Sequence, residues 1–429
     1  MNPKVSIILT CYNKPETVRK SIESVLNQTL KEWELFIMND ASNEHTTNII
    51  KSYISDIRIH YFNSHINNEN RHKTTRYATL INQAIPLSKG KYISYLTDDN
   101  EYLPERLEIM SNYLDDHPNV HIVYSKQIFR RLDESFSISS QTIRDTRGVL
   151  KKASNIVDHC SVMHTREAIE RVKRKYNNYW DDHPDHWHNA DAVAWERLNE
   201  FYPFHPIEKA LDINNKTPYS FQILNRYLPD TIPEGTLIKG LSPDIYVIES
   251  KARRKISPQL FSQLKYNKQK IVNIPDPFLF KYPLGPPVDD KIFYNGKLPN
   301  NLLVKDRSHN IYFIQKNKKR LIRPMAMRRY NFRYNDIIVL DKKNLQRIPN
   351  GPPLESKITR NTILPDGILF TCTGKYYICE NNSLSPIDYK YLNKLCFSTR
   401  ESVQLSPWEL NYFNKGRPIS WSFLNKKKK

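Results

Sequence analysis

Apolar residues along the first hundred positions alternate between two rhythms. Val5-Ser-Ile-Ile-Leu-Thr10, Trp33-Glu-Leu-Phe-Ile-Met38, Ile57-Arg-Ile-His-Tyr-Phe62 and Tyr92-Ile-Ser-Tyr-Leu96 are short runs with little polar alternation. This is the pattern of strands covered on both faces. Between them, Val18, Ile22, Val25 and Leu26, then Ala78, Leu80, Ile81 and Ala84, recur at helical spacing. Strands alternating with helices predict right-handed βαβ units and a mostly parallel α/β sheet flanked by helices. The apolar runs end in polar groups: Thr10 leads to Tyr12, Met38 to Asn39-Asp40-Ala41-Ser42, and Leu96 to Thr97-Asp98-Asp99-Asn100. Ligands of open α/β sheets bind beyond the carboxyl ends of the strands, so these residues predict a nucleotide site at the sheet rim. Asp98-Asp99 alone reads as a turn. With polar strand ends beside it, the pair reads instead as a seat for Mg²⁺ or Mn²⁺ shared with a diphosphate.

Past residue 230 the rhythm changes. Pro233, Pro299 and Pro365 stand 66 residues apart. Gly285-Pro286-Pro287 recurs as Gly351-Pro352-Pro353 and, weakened, as Gly416-Arg417-Pro418. Tyr246, Tyr312 and Tyr377 keep step, as do Ile256, Ile322 and Ile387. These landmarks predict three small, mostly β repeats at 231–290, 297–356 and 363–421, followed by a basic tail at 422–429. The first 225 residues form the other domain, with a nucleotide-binding half at 1–100 and an acceptor half at 101–225.

Charge follows the same division. Residues 231–429 carry 36 Lys and Arg against 15 Asp and Glu, whereas 1–230 carry 29 against 30. An imbalance confined to one half points to an anionic polymer as a partner of 231–429; nucleic acid is disfavoured because no RNA- or DNA-binding motif accompanies the charge. No run of about 18 apolar residues is present, so no transmembrane segment is expected, and no signal peptide is recognisable. Five widely spaced cysteines suit reduced thiols in a cytoplasmic protein.

Val5-Ser-Ile-Ile-Leu-Thr-Cys-Tyr-Asn13, Asn39-Asp40-Ala41-Ser42 and Tyr95-Leu-Thr-Asp-Asp99 resemble the nucleotide-binding half of family-2 glycosyltransferases of the GT-A fold. Val157-Asp-His-Cys-Ser-Val-Met-His164, Tyr179-Trp180-Asp181, Asp191 and Phe201-Tyr-Pro-Phe204 resemble the acceptor half of the spore-coat polysaccharide glycosyltransferases of bacilli. The likeness covers about residues 1–222. It implies that Thr10 and Tyr12 line the base pocket of a UDP- or dTDP-sugar, that Asp40 bonds the base or ribose, and that Arg71 lies against the nucleotide. It further implies Asp98 on the ribose, Asp99 on Mn²⁺ or Mg²⁺, and Asp191 as the base that takes a proton from the acceptor hydroxyl, with Asp158 in reserve. Thr97 departs from the family's usual Asp-x-Asp.

The expectation is an inverting, metal-dependent transferase of envelope or spore-surface polysaccharide synthesis, working in the mother-cell cytoplasm or at the spore surface. Its acceptor would be a glycan or surface polymer. Two rivals are a nucleotide-binding scaffold without catalysis and an anionic-polymer-binding protein acting through the basic repeats. Trp180-Asp-Asp-His-Pro-Asp-His-Trp-His188 fits no common zinc spacing. It reads as an acceptor loop in which Trp180 or Trp187 offers a face to a sugar ring.

Overall fold

The computed structural model describes residues 2–306 and 309–420; the expected basic tail, 422–429, lies outside the described residues. The chain divides into two compact units, Met1–Ile223 and Leu224–Lys429.

The first unit holds strands β1 (Val5–Cys11), β2 (Trp33–Asn39), β3 (Ile59–Asn63), β4 (Tyr92–Thr97), β5 (Glu101–Tyr102), β6 (Ile122–Leu132), β7 (Ile138–Arg144), β8 (Val162–Thr165) and β9 (His205–Lys216). They form one sheet in the order β3-β2-β1-β4-β8-β6-β9-β5, with β7 folded onto β6. The β3-β2-β1-β4 part is parallel, Ile8 lying opposite Phe36 and Tyr95. Helices α1 (Val18–Leu26), α2 (Glu44–Lys51), α3 (Arg76–Ala84), α4 (Arg106–Asp116), α5 (Arg166–Tyr176) and α6 (Ala190–Asn199) complete the layers. Ile7 and Leu9 pack with Val18, Ile22 and Met110 in one core, while Ile8 packs with Ala78, Ile169 and Trp195 in another. Covering on both faces is why β1 reads as an unbroken apolar run. Truncating one such side chain to Ala costs about 2–5 kcal/mol.

Two elements differ from expectation. The third strand starts at Ile59, not Ile57, which is 91% exposed. Asp56 accepts from both the backbone N–H and the guanidinium of Arg58, so the expected first residues of the strand are used in a turn. The long strand β9 has no unbroken apolar run to announce it, because polar Asp212, Asn214 and Asn215 are buried alongside Ile207, Leu211 and Ile213. Asp212 accepts from Ser125 and Gln127, Asn214 donates to Asp158, and Asn215 donates to Glu101 and to the carbonyl of Asp99.

The second unit contains three small sheets of one layout. In each, a first strand (Leu237–Lys239, Leu303–Lys305, Leu369–Cys372) pairs antiparallel with a second (Ile245–Glu249, Ile311–Gln315, Lys375–Glu380). The second turns back into a third (Ala252–Ile256, Lys318–Ile322, Ser383–Ile387), and a short fourth (Ile271–Asn273, Ile337–Val339, Val403–Gln404) runs parallel to the first. The tight turns Ser250-Lys251, Lys316-Asn317 and Asn381-Asn382 each place both residues at positive φ, the backbone of a type I′ hairpin.

The sheets close into a ring. The Glu249 carboxylate accepts from Asn300 N, Gln315 Nε2 donates to Leu364 O, and the Glu380 carboxylate accepts from Glu234 N, which leads back to the first sheet. Lys265 to Asn335 O, Asn331 to Ser402 O and Lys394 to Asn273 O make a second circuit. Part of the basic character is internal: Arg253, Arg254 and Arg320 are buried. Arg254 and Arg320 donate to the carbonyls of Pro286 and Pro352, tying the Gly-Pro-Pro segments to the third strands.

Candidate active site

The carboxyl ends of β1, β2 and β4 point the same way, so the segments that follow them meet. Thr10 lies between Met38 and Thr97 in the sheet and is buried. Two non-glycine residues in these loops, Asn13 (φ 52°) and Ala41 (φ 51°), adopt the left-handed region, where an L side chain is strained. The turn at Ala41 is held by Arg71, whose guanidinium donates to the Asp40 carboxylate (2.5 Å) and to the Asp40 carbonyl (2.5 Å). Arg71 also lies over the Tyr12 ring at 4.1 Å, and Arg76 adds a second guanidinium on Asp40 at 2.6 Å. Tyr12, Asp40 and Arg71 thus form one cluster with aromatic, acidic and planar cationic faces. The planar Arg71 guanidinium stacks on the aromatic ring while it bonds the carboxylate.

A hydrogen bond joins this cluster to the acidic pair: Tyr12 N–H donates to Asp98 Oδ2 at 2.7 Å. Lys14 lies between the two carboxylates, 3.0 Å from Asp98 and 2.6 Å from Asp99. Thr97, the departure from Asp-x-Asp, donates its hydroxyl to Asp99 Oδ1 at 2.8 Å and so fixes that carboxylate's orientation. Burial is the largest influence on all three groups. It raises the Asp98 pKa, only partly offset by Lys14, whereas Lys14 and Lys216 overcome it at Asp99 and hold that group below the usual carboxylate range. The two aspartates keep Lys14 protonated despite its burial.

Mn²⁺ and Mg²⁺ take oxygen ligands. Hard carboxylate oxygens from Asp98 and Asp99 converge on one point, and a cation, the Lys14 ammonium, stands there. Among the described residues no group of three or more His, Cys, Asp or Glu could hold a metal ion. Two carboxylates without a cage match the way Mg²⁺ is bound, completed by substrate phosphates and water. The residues therefore fit such an ion, provided that Lys14 gives way.

Asp191 sits in the first turn of α6, where its carboxylate accepts from Ala192 N at 2.9 Å. Burial, reinforced by the charge of Asp158, pushes its pKa up to about 6. Asp158 caps the short turn His159–Ser161 and accepts from Asn214 at 2.7 Å. Burial alone would raise its pKa, but Lys216, His159 and Arg144 outweigh burial and hold it low. The end residue of β9, Lys216, acts on Asp99, Asp158 and Asp191 alike, and His159 feels both Asp158 and Asp99. Carboxylates far apart in the chain therefore share one electrostatic environment.

Lys14, Arg76 and Lys216 belong to the site and escaped the sequence reading. Lys14 and Arg76 lie beside residues already singled out, and a basic residue in a phosphate-facing loop is a signal that could have found Lys14. Lys216 ends a strand that the hydrophobic pattern does not reveal. Trp180 corrects an expectation. It is fully buried, with Nε1 donating to Tyr95 Oη at 3.1 Å, so it props the loop from inside and has no face for a sugar. Trp187 is half-buried, its ring edge-on to Phe221 at 4.4 Å.

The mixed α/β fold is that of a glycosyltransferase, and the chain belongs to glycosyl transferase family 2, whose model matches residues 6–178. It is 39% identical to Protein CgeD of Bacillus subtilis (strain 168) over 424 residues, 98% of this chain and 96% of that protein. It is also 32% identical over 111 residues to the putative colanic acid biosynthesis glycosyl transferase WcaA of Escherichia coli (strain K12), covering 25% of this chain and 37% of WcaA. A crystal structure of S. aureus TarS 1-349 in complex with UDP-GlcNAc aligns with a TM-score of 0.38 at 14% identity, over 50% of this chain and 58% of that one. No described helix is long and apolar enough to cross a membrane.

Proposed function

We propose that the protein transfers a sugar from a UDP- or dTDP-sugar to a hydroxyl of a glycan or surface polymer in one inverting displacement, as a step of envelope or spore-surface polysaccharide synthesis. The observation that carries this reading is the shared surrounding of Asp99 and Asp191, both acted on by Lys216. The likeness to WcaA, a putative colanic acid biosynthesis glycosyl transferase, supports a polysaccharide setting. The spore surface rests on the motif resemblance at residues 157–204, and the cytoplasmic side on the five widely spaced cysteines.

In this mechanism Thr10 and Tyr12 line the base pocket, Asp40 bonds the base or ribose, Arg71 lies against the nucleotide and Asp98 holds the ribose, orienting the donor against the β4 end. Asp99, with Asp98 beside it, would hold Mn²⁺ or Mg²⁺; when bound, the ion supplies positive charge for the departing diphosphate. Asp191 accepts the proton of the acceptor hydroxyl as that oxygen attacks C1 of the sugar, and the C1–O bond to the diphosphate breaks on the opposite side. A pKa near 6 suits this role, because the carboxylate is ionised at neutral pH yet more basic than a solvated aspartate. Asp158 tunes it through charge.

The test uses the full chain with Mn²⁺ and a panel of UDP- and dTDP-sugars, reading released nucleoside diphosphate. Turnover of one donor, abolished in Asp191→Asn while calorimetric binding of the nucleotide persists, is the expected result. Nucleotide binding without turnover or donor hydrolysis in the unaltered chain would instead identify a scaffold.

A further inference from the structure

The near-neutral charge of residues 1–230 hides an uneven surface. Strands β6, β7 and β9 lie side by side, with Gln127 opposite Arg144 and Asp212, and Arg131 opposite Ser140 and Lys216. Successive residues of a strand point to opposite faces, so Gln127, Phe129 and Arg131 share one face with Arg144, Asn214 and Lys216. That face looks into the cleft. Gln127 donates to Asp158 at 3.3 Å, Asn214 donates to it at 2.7 Å, and the Arg144 guanidinium lies 3.9 Å from it. Outward, the face continues onto β7, which is exposed along its whole length.

The cations of the two faces are held differently. On the far face, Lys126 pairs with Asp145 at 3.1 Å and Glu208 at 3.2 Å, and Arg130 donates to Gln141 at 2.7 Å. On the cleft face, the Arg131 guanidinium has no hydrogen-bond or ion-pair partner among the described residues. The Lys216 ammonium meets only the Gln222 amide oxygen, at 3.3 Å. These two cations are direct neighbours across β6 and β9, strands spaced about 4.8 Å apart. Like charges set directly opposite destabilise a sheet. Neither has a carboxylate to relieve it, so the pair calls for an anion from outside. Arg144 is held by Gln127 at 3.3 Å and Asp158 at 3.9 Å, and its guanidinium lies 5.5 Å from the half-buried Phe129 ring.

We infer that this face is the acceptor site and that the acceptor is an acidic glycan, with carboxylates on its sugar rings. The inference rests on the transferase reading of the cleft and adds the acceptor's chemical class. Guanidinium groups bond carboxylates through two parallel N–H groups. The rows that hold Arg144 and Arg131 are four residues apart along β6, about 13 Å, which is longer than one sugar ring. Phe129 lies between those rows and offers an apolar surface to the C–H face of a ring. A polyol phosphate has charge but no ring to set there, and a neutral glycan leaves Arg131 and Lys216 uncompensated.

The experiment is calorimetric titration of the full chain with trigalacturonic acid, maltotriose and a glycerol phosphate trimer. Trigalacturonic acid is expected to bind, and more tightly than the other two. Arg131→Gln is expected to weaken that binding about tenfold. Lys126→Gln removes the same charge from the far face and is expected to leave it within about twofold. Absence of binding, preference for either other probe, or equal effects of the two substitutions would each overturn the inference. Equal effects are also what binding to the basic second unit would give. Diphosphate release from the donor without acceptor tests the transferase reading separately. Release without trigalacturonic acid binding overturns the acceptor class alone, whereas binding without release overturns the acceptor role.

Discussion

The two units treat buried polarity in opposite ways. In the first, charged groups are concentrated at the strand ends and left with opposing demands: Asp98 and Asp191 are raised in pKa, Asp99 and Asp158 lowered, and Lys14 is shared between two aspartates. In the second, buried charge is a strut. Arg254 and Arg320 are bound to backbone carbonyls and to Glu249 and Gln315. Divergent pKa values in one cleft mark acid–base chemistry, whereas satisfied arginines mark architecture. Positive charge counted along a sequence does not separate these cases; burial does.

The sharpest way to break the comparison is to neutralise its first side. Asp191→Asn should lower turnover about 10²- to 10⁴-fold with little effect on nucleotide affinity, measured by diphosphate release and calorimetry. Asp99→Asn should cost about 10²-fold or more and should also weaken nucleotide binding in the presence of Mn²⁺, a loss that Asp191→Asn does not share. On the second side, the expected damage is to stability alone. A Cβ at Gly367 (φ +72°) would lie 2.7 Å from the Glu234 carbonyl oxygen, whereas one at Gly374 (φ +75°) meets open space. Gly367→Ala should therefore destabilise by about 2–4 kcal/mol and Gly374→Ala by only about 1–2, read from denaturant midpoints.

Smaller effects sharpen the contrast. The Asp191 pKa is raised on folding, so the protonated form is favoured in the folded chain. This contribution is complete below about pH 4 and is lost as pH rises through about 6. Asp191→Asn should then raise stability by about 1 kcal/mol at neutral pH, after discounting for partial exposure, and by nothing in acid. The smallest expected change is at Lys14. Lys14→Met removes the ammonium that stands between Asp98 and Asp99 and should tighten Mn²⁺ binding several-fold, on the order of one RT unit or two, in a spectroscopic titration without nucleotide.

Much of the first unit was legible because two-sided burial writes apolar runs, and because Thr10, Tyr12, Asp40, Asp98 and Asp99 fall at the ends of those runs. The partners of these residues were less visible. Strand β9 supports the site through Asp212, Asn214 and Asn215, and it reads as polar for that reason. Trp180 looked like a ligand face because a loop rich in His and Asp surrounds it, but its indole is drawn inward by Tyr95. In the second unit, spacing announced three similar segments, yet the ring depends on bonds between them that spacing cannot encode. The positive charge of 231–429 pointed to an outside partner, yet Arg254 and Arg320 spend theirs on the Pro286 and Pro352 carbonyls.

The most direct test of the central claim, that Asp191 and Asp158 face the same cleft as Asp99, is the pH dependence of donor turnover in the unaltered chain and in Asp158→Asn. The account predicts an acidic limb with a midpoint near 6, displaced to lower pH when the Asp158 charge is removed. A midpoint that stays in place in Asp158→Asn, or a rate flat across that range, would contradict it.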